Sequence, residues 1–496
     1  MLAHKHITKI VAVVMAAAVC LCLCAVAFSG QLTAWAGDKG IAQEYETALF
    51  DTSSILSVNI QMDEADWNDM LENATAETYY QCNVEVNGTL FYQVGIRPKG
   101  NTSLSAIAND DTTDRYSFKL EFDHYVDGQT CFGLDKLILN NNYADATNMK
   151  EALIYDMYQY LGADASLYNY AKISVNGEYW GVYLALEGVE DSFQLRNYGT
   201  ESGALYKPES MDMGGGKAQE RPDGMPEGAD LNYTDDDLDS YETIWDGVVT
   251  KTNQADHERV VKALKNIAEG NDLEESMDID NLLRYLAVHV FSVNEDSLSG
   301  TMAHNYYLYE SDGMLNLIPW DYNLALGGMG GMGGGRPGGS GETEESSGAT
   351  SVVNSPIDDA FSGTEFFDTL LENETYHSQY DAYLQQLVSE YINGGGFDAF
   401  YERVRSQIDE LVETDPTAFY SYDEYETAAE TLYQVVKLRG QSIQGQLDGT
   451  IPSTEEAQRD SDALVDASDL DVSVMGTMNM GGGDGKAPAK PQNESN

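Results

Sequence analysis

Asn294-Glu295-Asp296 closes a long apolar run, Asn305 leads into an alternating one nine residues later, and Asp321 follows Ile318-Pro319-Trp320. Carboxylate and amide oxygens at the ends of elements are hard ligands suited to Mg2+ or Mn2+. Phosphoryl transfer needs such ions, because they neutralise charge on the transferring oxygens. Asp and Asn at these places also serve as ordinary caps. Upstream, Gly100-Asn101-Thr102-Ser103 reads as a turn between two strands, where a glycine turn offers backbone N–H groups to phosphate. Arg97 and Lys99 add positive charge beside it. Nucleophilic serine chemistry finds no support. His124, His257, His289, His304 and His377 stand in no nucleophile-elbow or zinc-ligand spacing, and His289 lies on an apolar helix as a core residue would.

The elements that must position these groups change character along the chain. Alternating runs over 54–62, 79–86 and 89–96 predict strands, the last two joined by Asn87-Gly88, a strong hairpin signal. Runs over 116–122 and 136–139 predict two more. Apolar residues Met149, Leu153, Met157 and Tyr160, stopped by Gly162, predict a helix over 148–161. A second Asn-Gly hairpin follows, over 171–175 and 179–186. From about residue 238 the pattern turns helical, over 259–269, 279–293, 366–371, 380–392, 397–412 and 425–447, with a short strand pair at 306–309 and 314–319. Glycine- and methionine-rich stretches at 211–228, 327–348 and from 475 onward cannot bury a core. Their thioethers offer a soft-metal reading beside the plain one of flexible loop.

Several stretches, in order, resemble the CotH family of spore-coat, kinase-like proteins. They are Val94-Gly95-Ile96-Arg97-Pro98-Lys99-Gly100-Asn101-Thr102-Ser103, Tyr116-Ser117-Phe118-Lys119-Leu120-Glu121-Phe122, and Val175-Asn176-Gly177-Glu178-Tyr179-Trp180-Gly181-Val182-Tyr183-Leu184. Gly203-Ala204-Leu205-Tyr206-Lys207, Asn294-Glu295-Asp296, Asn305-Tyr306-Tyr307-Leu308-Tyr309 and Leu317-Ile318-Pro319-Trp320-Asp321-Tyr322-Asn323 follow, with a weaker echo at Leu438-Arg439. The resemblance implies an α+β, atypical protein-kinase-like two-lobed fold. A strand-rich N-lobe with one helix would span 50–187, and a mainly helical C-lobe 188–450, with inserts at 211–228 and 327–348. The tail, 451–496, would be disordered.

It also implies transfer of the ATP γ-phosphate to protein serine or threonine. By position, Asp296 resembles the catalytic aspartate that accepts the hydroxyl proton, and Asn305 and Asp321 the Mg2+ or Mn2+ ligands. Lys119 falls where kinases keep a phosphate-pairing lysine, with Glu151 as its ion partner. Glu187 falls at the hinge that contacts adenine. Arg97, Lys99, Gly100, Asn101 and Ser103 complete the ATP-binding set. The spacing from Asp296 to Asn305 is longer than in ordinary kinases, and Asn323 is an amide where a second carboxylate would share the metal. A non-catalytic coat or surface protein, or a nucleotide-binding pseudokinase, would use the same residues differently.

Charge bears on partners. The first 36 residues, with Lys5 and Lys9, an apolar run over 10–28 and Ala34-Trp35-Ala36, read as a secretory signal peptide, an uncleaved anchor being the alternative. Beyond them, 83 acidic residues face 25 basic ones, an excess of 58 negative charges. Such a field repels nucleic acid and favours a basic protein substrate, outside the cell or at its surface. Cys82 and Cys131 remain, as one bridge or as two buried thiols.

Overall fold

In the computed structural model, the described residues are 40–208, 230–299, 303–330, 348–359 and 365–479. The predicted signal segment, the insert at 211–228, most of the insert at 327–348 and the last part of the tail lie outside them. Helix α1 (Glu44–Ala48) precedes strand β1 (Leu56–Gln61) and α2 (Glu64–Glu72). Strands β2 (Tyr80–Val86) and β3 (Thr89–Lys99) form the first predicted hairpin, with Val86 opposite Thr89 and both turn residues at positive φ, +48° for Asn87 and +81° for Gly88. Helix α3 (Thr102–Ala108), β4 (Ser117–Glu121), β5 (Lys136–Asn140) and α4 (Lys150–Leu161) follow, then the second hairpin, β6 (Tyr168–Val175) and β7 (Glu178–Glu187).

These seven strands close into a barrel in the order β1-β2-β3-β4-β5-β7-β6. Every neighbouring pair is antiparallel except the closing one, where β1 runs parallel to β6 with Leu56 beside Ala171 and Ile60 beside Val175. Strand alternation decides what fills it. Val58, Ile60, Val84, Val94, Ile96, Phe118, Leu120, Leu137, Leu139, Ile173 and Ala185 turn inward to form one core. Ile138, Tyr170, Val182, Leu184 and Leu186, on the other face of β5, β6 and β7, join a second and larger core with α4 and the helices that follow. A closed barrel has no free edge and both its faces are committed, so the expected two-lobed, kinase-like arrangement is overturned. The class is α+β. The expectation of one helix in residues 50–187 fails as well, since α2 and α3 accompany α4.

After α5 (Asp191–Tyr198), strand β8 (Ala204–Tyr206) pairs with β9 (Tyr306–Ser311), which pairs with β10 (Met314–Pro319) in a three-stranded sheet. Packed around it are α6 (Gln254–Ala268), α7 (Ile279–Ser292), α8 (Glu374–Gln386), α9 (Gly396–Glu413) and α10 (Tyr422–Leu447), with several shorter helical turns. Arg115 fastens the barrel to the loop after α9. It is buried, donates to Asp415 at 2.7 Å, to Thr417 at 2.8 Å and to the carbonyl of Asn141, and lies over the Tyr183 ring.

The tail is also not as expected. Residues 451–479 return to the core, where Val472 and Met475 are buried. The segment then crosses two loops at once. Ala146 N donates to the Met475 carbonyl at 3.1 Å, Lys150 Nζ to the Gly476 carbonyl at 3.1 Å, and Met478 N to the Gly328 carbonyl at 2.8 Å. Gly476 has φ +89°, and a Cβ there would lie 2.5 Å from the Ala144 carbonyl oxygen, so only glycine permits this approach. Cys82 and Cys131 are free and buried, and burial pushes the Cys82 thiol up to about 12.

Candidate functional site

Three structural units converge on one cleft: the end of β3 with the start of α4, the loop after α7, and the loop after β10. Lys99, the last residue of β3, donates from Nζ to Asn140 Oδ1 at 3.1 Å. Asn140, ending β5, donates to Glu151 Oε2 at 2.7 Å, and Glu151 Oε1 accepts from Tyr322 N at 3.4 Å. The chain of contacts thus runs from the barrel through α4 to the residue after Asp321. Trp320 lies under the Lys99 ammonium, 5.5 Å from its ring centre.

The loop after α7 supplies the rest. Asp296 accepts from Asn305 Nδ2 on Oδ2 at 3.1 Å and on its carbonyl at 2.8 Å, and His304 Nε2 lies 2.6 Å from its Oδ1. Asn294 ties this loop to the other, donating to the Asp321 carbonyl at 3.2 Å and accepting from Asp296 N at 3.3 Å. Five non-glycine residues here hold positive φ: Val293, Ala303, Asn305, Asp321 and Leu326. Left-handed backbone is costly for such side chains, most of all for β-branched Val293, and clusters of it mark sites where geometry is imposed.

Burial dominates the charged groups of the cleft, where both Lys99 and Lys207 act on Asp321. Burial pushes the Glu151 carboxyl up to about 8, and the neighbouring Asp321 charge adds to this against the pull of Asn140 and Lys99. Asp321 is also raised, by burial first, with Lys99 opposing and Asp296 reinforcing. Burial lowers Lys99, and Asp321 pulls it back. Buried carboxyls raised by burial and by a neighbouring carboxylate form a site whose charge a divalent cation would complement. The donor set is all oxygen, which suits Mg2+ or Mn2+. Asp321 would hold the ion, and Asn305, whose amide nitrogen donates to Asp296, would turn its side-chain oxygen to it. Among the described residues, the one group of three His, Cys, Asp or Glu side chains converging within 4.8 Å is elsewhere, at Asp358, His377 and Asp381.

Of the residues singled out from sequence, Lys99, Glu151, Asp296, Asn305 and Asp321 come together, and six do not act as expected. Lys119 is not the partner of Glu151. It lies two cross-strand pairs from Lys99, opposite Arg97, and is ion-paired to Glu190, which also takes Lys136 at 2.6 Å. Arg97 is spent on Glu77 and over the Tyr79 ring. Glu187 is fully buried away from the cleft, accepting from Arg196 at 2.7 and 2.9 Å and from the Tyr45 hydroxyl at 2.5 Å, so it has no free oxygen to turn toward a base. Gly100, Asn101 and Ser103 do not form a turn between strands. Gly100, at φ +133°, leads into α3, where Asn101 is the cap and Ser103 lies in the first turn.

Asn140 is a functional candidate that pattern reading missed, while Asn294, His304 and Trp320 stand in or beside the motifs read from sequence without a role assigned to them there. His304 stands beside Asn305 in sequence and could have been found there. Asn140 gives no local signal, since only strand pairing brings it between Lys99 and Glu151. His289 is the core residue expected, 2.9 Å from the Tyr322 hydroxyl and 2.7 Å from that of Ser299.

The model for the CotH kinase protein family matches residues 96–443, most of the chain, and the match takes in every cleft residue named above. Among characterised proteins, the chain is similar to inner spore coat protein H of Bacillus subtilis (strain 168), at 28% identity over 204 residues. That alignment covers 40% of this chain and 52% of the relative, so the chain spans about half the relative's length. With the family model lying over the barrel's second half, both cleft loops and α10, the chain belongs to the CotH kinase protein family.

Proposed function

We propose that this protein is a divalent-cation-dependent phosphotransferase that moves the γ-phosphate of ATP to serine or threonine of a basic protein. The observation that carries the reading is the linked set Lys99–Asn140–Glu151 facing Asp321 and Asp296. It joins a lysine for phosphate oxygens to carboxylates for a metal and for a hydroxyl proton. Bound Mg2+ or Mn2+ would supply charge neutralisation on the phosphates.

The chain's own residues would divide the remaining work. Lys99, held by Asn140 and flanked by Trp320, binds and orients phosphate oxygens. Glu151 holds Lys99 in place through Asn140. Asp296 accepts the proton of the attacking hydroxyl on a carboxylate oxygen, and His304 and Asn305 fix the direction that carboxylate points. In balance, the serine or threonine oxygen forms a bond to the γ-phosphorus, the bond from that phosphorus to the β,γ-bridging oxygen breaks, ADP leaves, and Asp296 takes the proton. The relative's name as an inner spore coat protein supports a coat or surface location for this chain too.

Incubation with γ-labelled ATP, Mn2+ or Mg2+ and a basic serine peptide tests this. Label on the peptide or on the protein itself is expected. No transfer with either metal, from protein that binds no nucleotide, would favour a non-catalytic coat component, and binding without transfer a pseudokinase.

A further inference from the structure

Beneath the cleft, a closed ring of hydrogen bonds joins the loop that carries Asp296 to the loop that carries Asp321. It centres on His289, a buried residue in the last turn of α7. His289 Nδ1 is 2.9 Å from the hydroxyl of Tyr322, the residue after Asp321. His289 Nε2 is 2.7 Å from Ser299 Oγ and 3.2 Å from Ser297 Oγ, both on the Asp296 loop. Ser297, also buried, donates to the Asn294 carbonyl at 2.7 Å. Asn294 closes the ring, since its side chain donates to the Asp321 carbonyl and accepts from Asp296 N.

The bonds run in one direction. A hydroxyl has a single proton, and Ser297 spends its own on Asn294, so toward the imidazole it can only accept. The His289 proton is thereby assigned to Nε2, which leaves Nδ1 to accept from the Tyr322 hydroxyl. The Tyr158 hydroxyl, on the same helix as Glu151, lies 2.6 Å from that of Tyr322 and donates to it. Every step uses a neutral imidazole, the form that burial favours at this histidine. A satisfied polar chain of this kind fixes one arrangement of the elements it joins. The loops need such a restraint, because Val293 at φ +48° and Asp321 at φ +60° hold left-handed backbone that persists only where the surroundings impose it.

We propose that His289, with Tyr322 and Ser297, is a positioning residue for phosphotransfer, its ring of hydrogen bonds setting the Asp296 carboxylate against the Asp321 metal site. The inference rests on the phosphotransfer reading for its consequence, and on the contacts alone for the link between the loops. All three side chains are buried too deeply to touch substrate. Cutting the ring therefore misplaces Asp296 and removes no reacting group.

The test uses Tyr322→Phe and Ser297→Ala, singly and together, in the full chain, since each removes one oxygen and leaves the core filled. Each single variant should lower kcat for transfer from labelled ATP to a basic serine peptide by about tenfold or more, with KM for ATP nearly unchanged. The double variant should lose little more than the worse single, because both substitutions cut the same ring. Losses that multiply, or a raised KM with kcat unchanged, would overturn the proposal. Amide hydrogen exchange reads the ring without turnover. Tyr322→Phe should raise exchange across the ring at 294–299, and Ser297→Ala at 321–326, with β9 and β10 protected in both. Exchange raised only in the loop that carries the substitution, or throughout the chain, would also overturn it. If the native chain transfers no phosphate while exchange behaves as stated, the phosphotransfer reading fails and the link between the loops stands.

Discussion

Lys99 and Lys119 are both lysines of adjacent strands on the same outer face of the barrel, yet only one reaches the cleft. Lys119 ends on Glu190, whereas Lys99 is joined through Asn140 to Glu151. Lys99→Met should therefore cut phosphotransfer by about 10²-fold or more, as loss of a charge-stabilising donor does. Lys119→Met should cost about 1 kcal/mol of stability and leave transfer nearly unchanged. Steady-state kinetics of the two variants decide this, and equal losses would mean the cleft lysine is misassigned. His289 makes a separate point about acid stability. Burial lowers its pKa from 6.5 to about 3, so it is neutral in the folded protein and charged in the unfolded chain at mildly acid pH. The unfolded state then binds the extra proton, and stability falls as pH drops from near 6.5 toward 3. His289→Gln should flatten that part of the profile in urea unfolding at several pH values. An unchanged slope would contradict it. Asp296, Asn305 and Asp321 were legible in the sequence because they punctuate apolar runs. Lys99 was read there only as charge beside a turn, and its link to Glu151 in place of Lys119 was not legible, since its neighbours are set by register between distant strands.

Among the elements, the returning segment 472–479 is the one whose role is least obvious from its composition. It bonds to the loop before α4, which carries Glu151, and to the loop after β10, which carries Asp321. Truncation after Leu470 should raise hydrogen exchange in 142–150 and 322–330 while leaving β2, β3 and β4 protected. Truncation after Asn479 should change neither. Uniform loss of protection would mean instead that the segment supports the whole fold. The hairpins at Asn87-Gly88 and Asn176-Gly177 were readable because their turn chemistry is local. Helices α2 and α3 were not, being short and set between strand signals. The pairing of β1 with β6 was invisible for a different reason. A parallel contact across more than a hundred residues leaves no local trace, yet it is what closes the barrel.

At the scale of the whole molecule the excess of negative charge should shape substrate choice. An acidic protein nearing the cleft meets repulsion screened over a Debye length of about 8 Å at physiological salt, and a basic one meets attraction. Serine peptides rich in lysine or arginine should therefore show a higher kcat/KM than acidic peptides of matched sequence. The advantage should shrink as salt rises. Equal efficiency at low salt would mean the charge serves solubility alone.

The central claim is that Asp321 holds the metal and Asp296 takes the proton. Single-turnover phosphotransfer measured beside nucleotide binding, for Asp321→Ala and Asp296→Ala, tests it most directly. Asp321→Ala should lose metal-dependent ATP binding and lower transfer by about 10³-fold, while Asp296→Ala should bind ATP as the native chain does and still fail to transfer. Normal transfer by folded Asp321→Ala, or loss of ATP binding in Asp296→Ala, would contradict that division of roles.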